Sequence, residues 1–147
     1  MSSTGEYRSL LAFDYGTRKI GVASGQTLTN TASPLPTVPA DNGVPDWDAI
    51  TRLITEWKPD ALIVGLPLNM DGTESELSRR AEKFSRQLHG RYNLPCFTID
   101  ERLSTREARE ISRQNAERAG KKFDSRKHVD SFSAQLILES WMEYQSG

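Results

Sequence analysis

The sequence predicts an α/β protein built on one mixed five-stranded sheet, three early antiparallel strands and two parallel ones, with helices on both faces. Two observations carry this. Three short apolar runs open the chain with no helical spacing between them, which suits antiparallel pairing. After them, apolar positions at helical spacing alternate with further strand-like runs, which suits parallel crossovers. A chain of 147 residues is expected to form a single domain over 1–147, with an ordered core of about 8–144, because chains usually split only above roughly 250 residues.

The elements follow in order. Residues 10–13 are an unbroken apolar run that delivers Asp14 to a strand end, where Tyr15-Gly16 breaks it. Residues 20–24 form a second strand close behind, so a hairpin is expected. Residues 32–38 form a third, which Pro34, Pro36 and Pro39 confine to an edge. A loop covers 40–45. Asp46 then starts a helix whose apolar face is Trp47, Ile50, Leu53, Ile54 and Trp57, and Pro59 ends it. Residues 61–64 are a buried strand closed by Gly65. A second helix over 75–88 turns Leu77, Ala81, Phe84 and Leu88 inward, with Gly90 as its stop. Residues 95–99 are a strand ending at Asp100 and Glu101. A third helix is expected over 105–118, a basic loop over 120–127 and a last helix over 128–144.

Composition excludes several classes. Hydrophobic residues are 36% and charged residues 27% of the chain, as in globular proteins. No apolar run approaches the roughly 20 residues that span a bilayer. The start MSSTGEYRS lacks an apolar signal core, so the cytosol is the expected compartment. The single cysteine, Cys96, has no internal disulfide partner and reads as a buried strand residue. The net charge of −1 is not that of a strongly basic binder, so the distribution of charge matters more than the sum.

Three acids stand out: Asp14, Glu101 and Asp130. Hard divalent cations such as Mg²⁺ or Mn²⁺ take carboxylate oxygens, and phosphodiester cleavage can use them. Asp14 ends a buried strand; the plainer reading is a turn-forming Asp before Tyr-Gly. Glu101 sits at the C-terminal end of a parallel strand, with Asp100 as a rival; the plainer reading is a surface ion pair with Arg102 or Arg106. Asp130 shares a helix face with Ala134, Ile137 and Trp141, an apolar face on which a lone carboxylate is costly unless paired or bound to a cation. Its plainer reading is helix-dipole stabilisation, or pairing with Arg126 or Lys127.

Cations could hold a phosphate backbone near these acids. Arg18 and Lys19 lie in the glycine-flanked turn after Asp14. Arg102, Arg106, Arg109, Arg113, Lys121, Lys122, Arg126 and Lys127 lead toward Asp130. An ordinary solvated helix pairing them with Glu107, Glu110 and Glu117 is the simpler alternative. Only His89 and His128 are present, without Cys partners, so a zinc site is not indicated, and there is no phosphate-binding P-loop motif.

The stretches Asp14-Tyr15-Gly16 through Gly21-Val22-Ala23, Gly65-Leu66-Pro67 with Asp71-Gly72, Asp100-Glu101-Arg102-Leu103-Ser104-Thr105, and Asp130-Ser131 with Ala134 and Ile137-Leu138 occur in that order. In this the chain resembles the YqgF family, also called RuvX, whose members are described as Holliday junction resolvases and as pre-16S rRNA nucleases. The resemblance implies a ribonuclease H-like fold. It also implies Mg²⁺- or Mn²⁺-dependent phosphodiester hydrolysis at Asp14, Glu101 and Asp130, and maturation of the 5′ end of 16S rRNA. The implied partner is nucleic acid, either pre-rRNA or branched DNA, with the ribosome as a further partner and the protein a monomer or homodimer. Related junction resolvases usually carry an acid after the strand beside the first. Here that strand ends Gly65-Leu66-Pro67, so Glu101 has to reach across from one strand further over. Two other classes share the fold: actin-like ATPases and sugar kinases, which need two such domains, and non-catalytic RNA- or ribosome-binding modules.

Overall fold

The computed structural model describes residues 7–101 and 131–146. The helix expected over 105–118 and the basic loop over 120–127 lie outside them. The described elements are β1 (Ser9–Asp14), β2 (Lys19–Gln26), β3 (Thr31–Asp41), β4 (Val44–Pro45), α1 (Trp47–Trp57), β5 (Ala61–Leu66), α2 (Glu76–Tyr92), β6 (Cys96–Asp100) and α3 (Phe132–Ser146). The sheet order is β4-β3-β2-β1-β5-β6. β1 pairs antiparallel with β2, and β2 with β3. β5 lies parallel to both β1 and β6. This is the mixed sheet the sequence predicts, with one correction: it has six strands, not five. The expected loop at 40–45 folds back as a tight hairpin, Asp41 opposite Val44 and Ala40 opposite Pro45. Asn42 and Gly43 form its turn with φ of 51° and 85°. An Asn-Gly pair takes such positive angles cheaply, so the sequence carried the signal for this strand.

Alternation along β1 and β5 splits the core into two layers. Leu11, Phe13, Leu62 and Val64 face α1 and α2, where Ile50, Ala81, Phe84 and Leu88 close over them. Leu10, Ala12, Ala61 and Ile63 face α3, where Ala134, Ile137, Leu138 and Trp141 close the other side. Helices therefore cover both faces, and the 134–137–141 stripe read from the sequence packs on the sheet. Burying one such aliphatic or aromatic side chain stabilises by about 1.5–3 kcal/mol.

Helix ends follow local chemistry. Asp46 caps α1, its side chain accepting from the Ala49 N–H. Ser75 and Ser78 form a reciprocal cap on α2. α1 ends at its expected stop, Pro59, its left-handed cap Lys58 standing directly before the proline. Gly90 does not act as a stop. α2 runs through Gly90 to Asn93, also left-handed. Trp57 and Leu77, expected inside, are 36% and 37% exposed, while Ser78 and Ser85 are buried instead. Cys96 is only partly buried; its environment still raises the thiol pKa, mainly by desolvation, against a hydrogen bond with Ser85. Among the described residues no helix is long and apolar enough to cross a membrane.

Candidate active site

β1, β3, β5 and β6 all end at one edge of the sheet, as parallel strands and twice-reversed ones must. Asp14 is the last residue of β1, opposite Gly21 of β2. Leu10 and Ala12 face α3, so by alternation Asp14 belongs to the α3 face. It is half-buried.

Glu101 follows the last residue of β6. Ile99 faces α3, so Asp100 falls on the opposite face and Glu101 returns to the α3 face. This separates the two rivals: of Asp100 and Glu101, the glutamate shares a face with Asp14. β5 stands between them. At Gly65, a Cβ would lie 2.8 Å from Glu101 Oε1, 2.9 Å from Glu101 Cγ and 2.5 Å from Ile137 Cδ1. The glutamate side chain thus lies across β5 in the space a side chain at residue 65 would fill, under Ile137 of α3, with its Oε1 buried. Phe13 pairs with Val64, so Gly65 is the next step beside Asp14, about 5 Å away at strand spacing. A strand residue without a side chain is what lets an acid from β6 reach toward β1.

The third acid, Asp130, lies outside the described residues; its neighbour does not. Ser131 is buried. Its hydroxyl accepts from the Val22 N–H at 3.1 Å and donates to the Leu35 carbonyl. The β2–β3 register shifts at this point, between Ile20 and Val22. The hydroxyl therefore fills a gap in the strand hydrogen bonding that would otherwise leave the buried Val22 N–H and the partly buried Leu35 carbonyl unsatisfied. It also ties the chain just before α3 to Val22, one step from the Asp14–Gly21 pair.

Of the predicted cations, Arg18 and Lys19 are exposed at this edge, Arg18 in the β1–β2 turn and Lys19 at the start of β2. Arg102, Arg106, Arg109, Arg113, Lys121, Lys122, Arg126 and Lys127, with His128, lie outside the described residues. Among the described residues no three His, Cys, Asp or Glu side chains form a metal-holding group. The donor chemistry nonetheless fits a hard divalent cation: two carboxylates on one face of one edge, with no thiolate or imidazole between them. Sequence reasoning named Gly65 and Ser131 in the family-like stretches but missed what each does at this edge. Gly65 read as a strand stop, and a buried serine carries no periodic signal.

The family model RuvX, described as Holliday junction resolvase, matches residues 8–144. A protein of Saccharophagus degradans named "Putative pre-16S rRNA nuclease" is 54% identical over 134 residues, 91% of this chain and 92% of that one. One of Aeromonas salmonicida with the same name is 55% identical over 140 residues, 95% of this chain and 98% of that one. Among solved structures, Thermus thermophilus RuvC in complex with a Holliday junction substrate matches with a TM-score of 0.62 at 15% identity, covering 95% of this chain and 96% of that one. The fowlpox virus Holliday junction resolvase matches at 0.57 and 17% identity, covering 92% and 99%. At these identities the structural likeness is one of fold.

Proposed function

The chain belongs to the RuvX family, and from that premise we propose that it is a metal-dependent nuclease of ribonuclease H-like fold that trims the 5′ end of pre-16S rRNA in the cytoplasm. One observation supports the chemistry most: Glu101 folded across Gly65 onto the face and edge that Asp14 occupies. Two carboxylates from separate strands on one face of a half-buried edge are the donor type that a hard divalent cation takes.

Asp14, Glu101 and Asp130 would hold the ion. When bound, Mg²⁺ or Mn²⁺ supplies an activated water and neutralises charge at the phosphodiester. The chain's own residues do the rest. Gly65 and Ile137 fix the Glu101 side chain, and Ser131 fixes the start of α3. Arg18 and Lys19 offer positive charge to the phosphate backbone from the turn after Asp14 and the start of β2.

The test is cleavage by the purified chain of precursor 16S rRNA and of a four-way DNA junction, with Mn²⁺ and with EDTA. The reading requires Mn²⁺-dependent cleavage of the RNA, lost by about a thousandfold in Asp14→Asn, roughly 4 kcal/mol of barrier. Cleavage of the DNA junction alone would replace the substrate. RNA binding with no cleavage in either metal would make the chain a binding module.

A further inference from the structure

On the other face of the same edge the structure holds a cavity of about 260 Å³. It lies directly behind the turn that follows Asp14. Tyr15 forms part of its wall, and the β3–β4 hairpin and α2 close it. The hairpin is tied to the turn: the Gly43 N–H donates to the Thr17 carbonyl at 2.9 Å and the Ala40 N–H to the Arg18 carbonyl at 2.8 Å. The Tyr15 hydroxyl donates to the Gly43 carbonyl. Asp14 and Tyr15 are adjacent, so their side chains leave β1 toward opposite faces.

The lining has two chemistries. Arg80 and Lys83, on one stripe of α2, bring two positive charges with the Gln87 amide beside them. The nearly buried Tyr15, and Trp47, whose ring is covered by Arg91 at 3.9 Å, bring aromatic edges. The Arg80 guanidinium is packed on the hairpin: a Cβ at Gly43 would lie 3.0 Å from its Nη1 and 2.7 Å from Tyr15 Oη. Gly43 is thus needed twice, for its φ of 85° and for its lack of a side chain. Among the described residues Arg80 meets only the exposed Glu76, at 3.8 Å, and no described acid pairs with Lys83. Two cations with little opposing charge in a recess walled by aromatic rings suit a phosphate joined to a planar base.

We propose that this cavity is a subsite for one nucleotide of the substrate strand flanking the bond to be cut, its phosphate on Arg80 and Lys83 and its base or ribose along the edges of Tyr15 and Trp47. The proposal rests on the nuclease reading for its place in the reaction but not for its ligand chemistry. A strand running over the edge from the acid face would meet it next, past Arg18.

The experiment titrates the full chain, in EDTA, with adenosine 5′-monophosphate, inorganic phosphate and adenosine, following the Trp47 indole signal by NMR. EDTA removes any ion from the carboxylates, so a failure of the nuclease reading leaves this measurement intact. The expected result is saturable binding of the nucleotide, tighter than that of phosphate or adenosine. It weakens about tenfold or more in Arg80→Gln/Lys83→Gln and is unchanged in Asp14→Asn. Those two side chains are exposed, and an unchanged melting temperature checks that the double variant folds. On an RNA strand cleaved with Mn²⁺, the double variant should raise KM and keep kcat. Equal binding by wild type and double variant, equal binding of phosphate or adenosine, or loss of binding in Asp14→Asn would each overturn the subsite. So would a fall in kcat at unchanged KM.

Discussion

The two faces of the sheet are packed on opposite plans. Against α1 and α2 the sheet presents Phe13, Tyr15, Val22 and Val64, and Phe84 of α2 stacks edge-on or tilted against Phe13, Tyr15 and Trp47. Against α3 it presents Ala12, Ala23, Ala61, Gly25 and Gly65 beside Leu10, Ile63 and Ile99. A Cβ at Gly25 would lie 2.6 Å from Leu138 Cδ2, and one at Gly65 2.5 Å from Ile137 Cδ1. Small residues let a helix backbone come close; large rings hold it off and leave a recess at the edge. The close-packed face gathers acids from different strands, and the ring-packed face leaves room for a cavity edged with cations. The lesson is that glycines in the strand layer shape this site as much as the acids do.

That contrast can be broken most sharply at Gly65. Gly65→Ala sets a methyl against both Glu101 and Ile137, and it should cut Mn²⁺-dependent cleavage about tenfold to a hundredfold, with a stability cost of about 1–3 kcal/mol. Gly65→Ala with Ile137→Val removes the Cδ1 the new methyl meets. Stability, read by urea unfolding, should partly return while cleavage stays low. Recovery of both would mean the glycine serves helix packing alone.

Ser131→Ala should come next. It leaves the Val22 N–H and the Leu35 carbonyl unsatisfied, which costs about 1–3 kcal/mol, and amide exchange at Val22 should quicken. A variant as stable as wild type would deny that the hydroxyl bridges the register shift.

The smallest effect concerns pH. Glu139 of α3 is partly buried, and desolvation pushes its carboxyl above the ordinary value of 4.5. The folded chain then keeps a proton that the unfolded chain has released, so stability from this group falls as pH rises above about 4.5 and levels off once the folded carboxyl has ionised. Glu139→Gln should raise the melting temperature at pH 7 and leave it unchanged at about pH 3.5. A variant that melts lower at pH 7 would reverse the sign.

Much of this was legible in sequence because burial imposes periods. The run ending at Asp14, the α1 and α2 spacings and the 134–137–141 stripe all reflect faces that must meet a core. What escaped was set by single backbone positions. The sixth strand depends on two residues, Asn42 and Gly43, at positive φ. The end of α2 depends on Asn93 rather than the more obvious Gly90, around which a Cβ would meet nothing. The reach of Glu101 across a strand depends on an atom that is not there, at Gly65. The spacing named both Asp100 and Glu101, and only pleat and register tell which of them shares a face with Asp14.

The central claim is that Asp14 and Glu101, with Asp130, hold one divalent site. Calorimetric titration of the full chain with Mn²⁺ measures it directly, for wild type, Asp14→Asn, Glu101→Gln and Asp130→Asn, with Asp100→Asn as the control on the opposite face. The account predicts that the first three substitutions each weaken Mn²⁺ about tenfold or more and that the control binds as wild type does. Mn²⁺ affinity unchanged by Asp14→Asn or Glu101→Gln would contradict it.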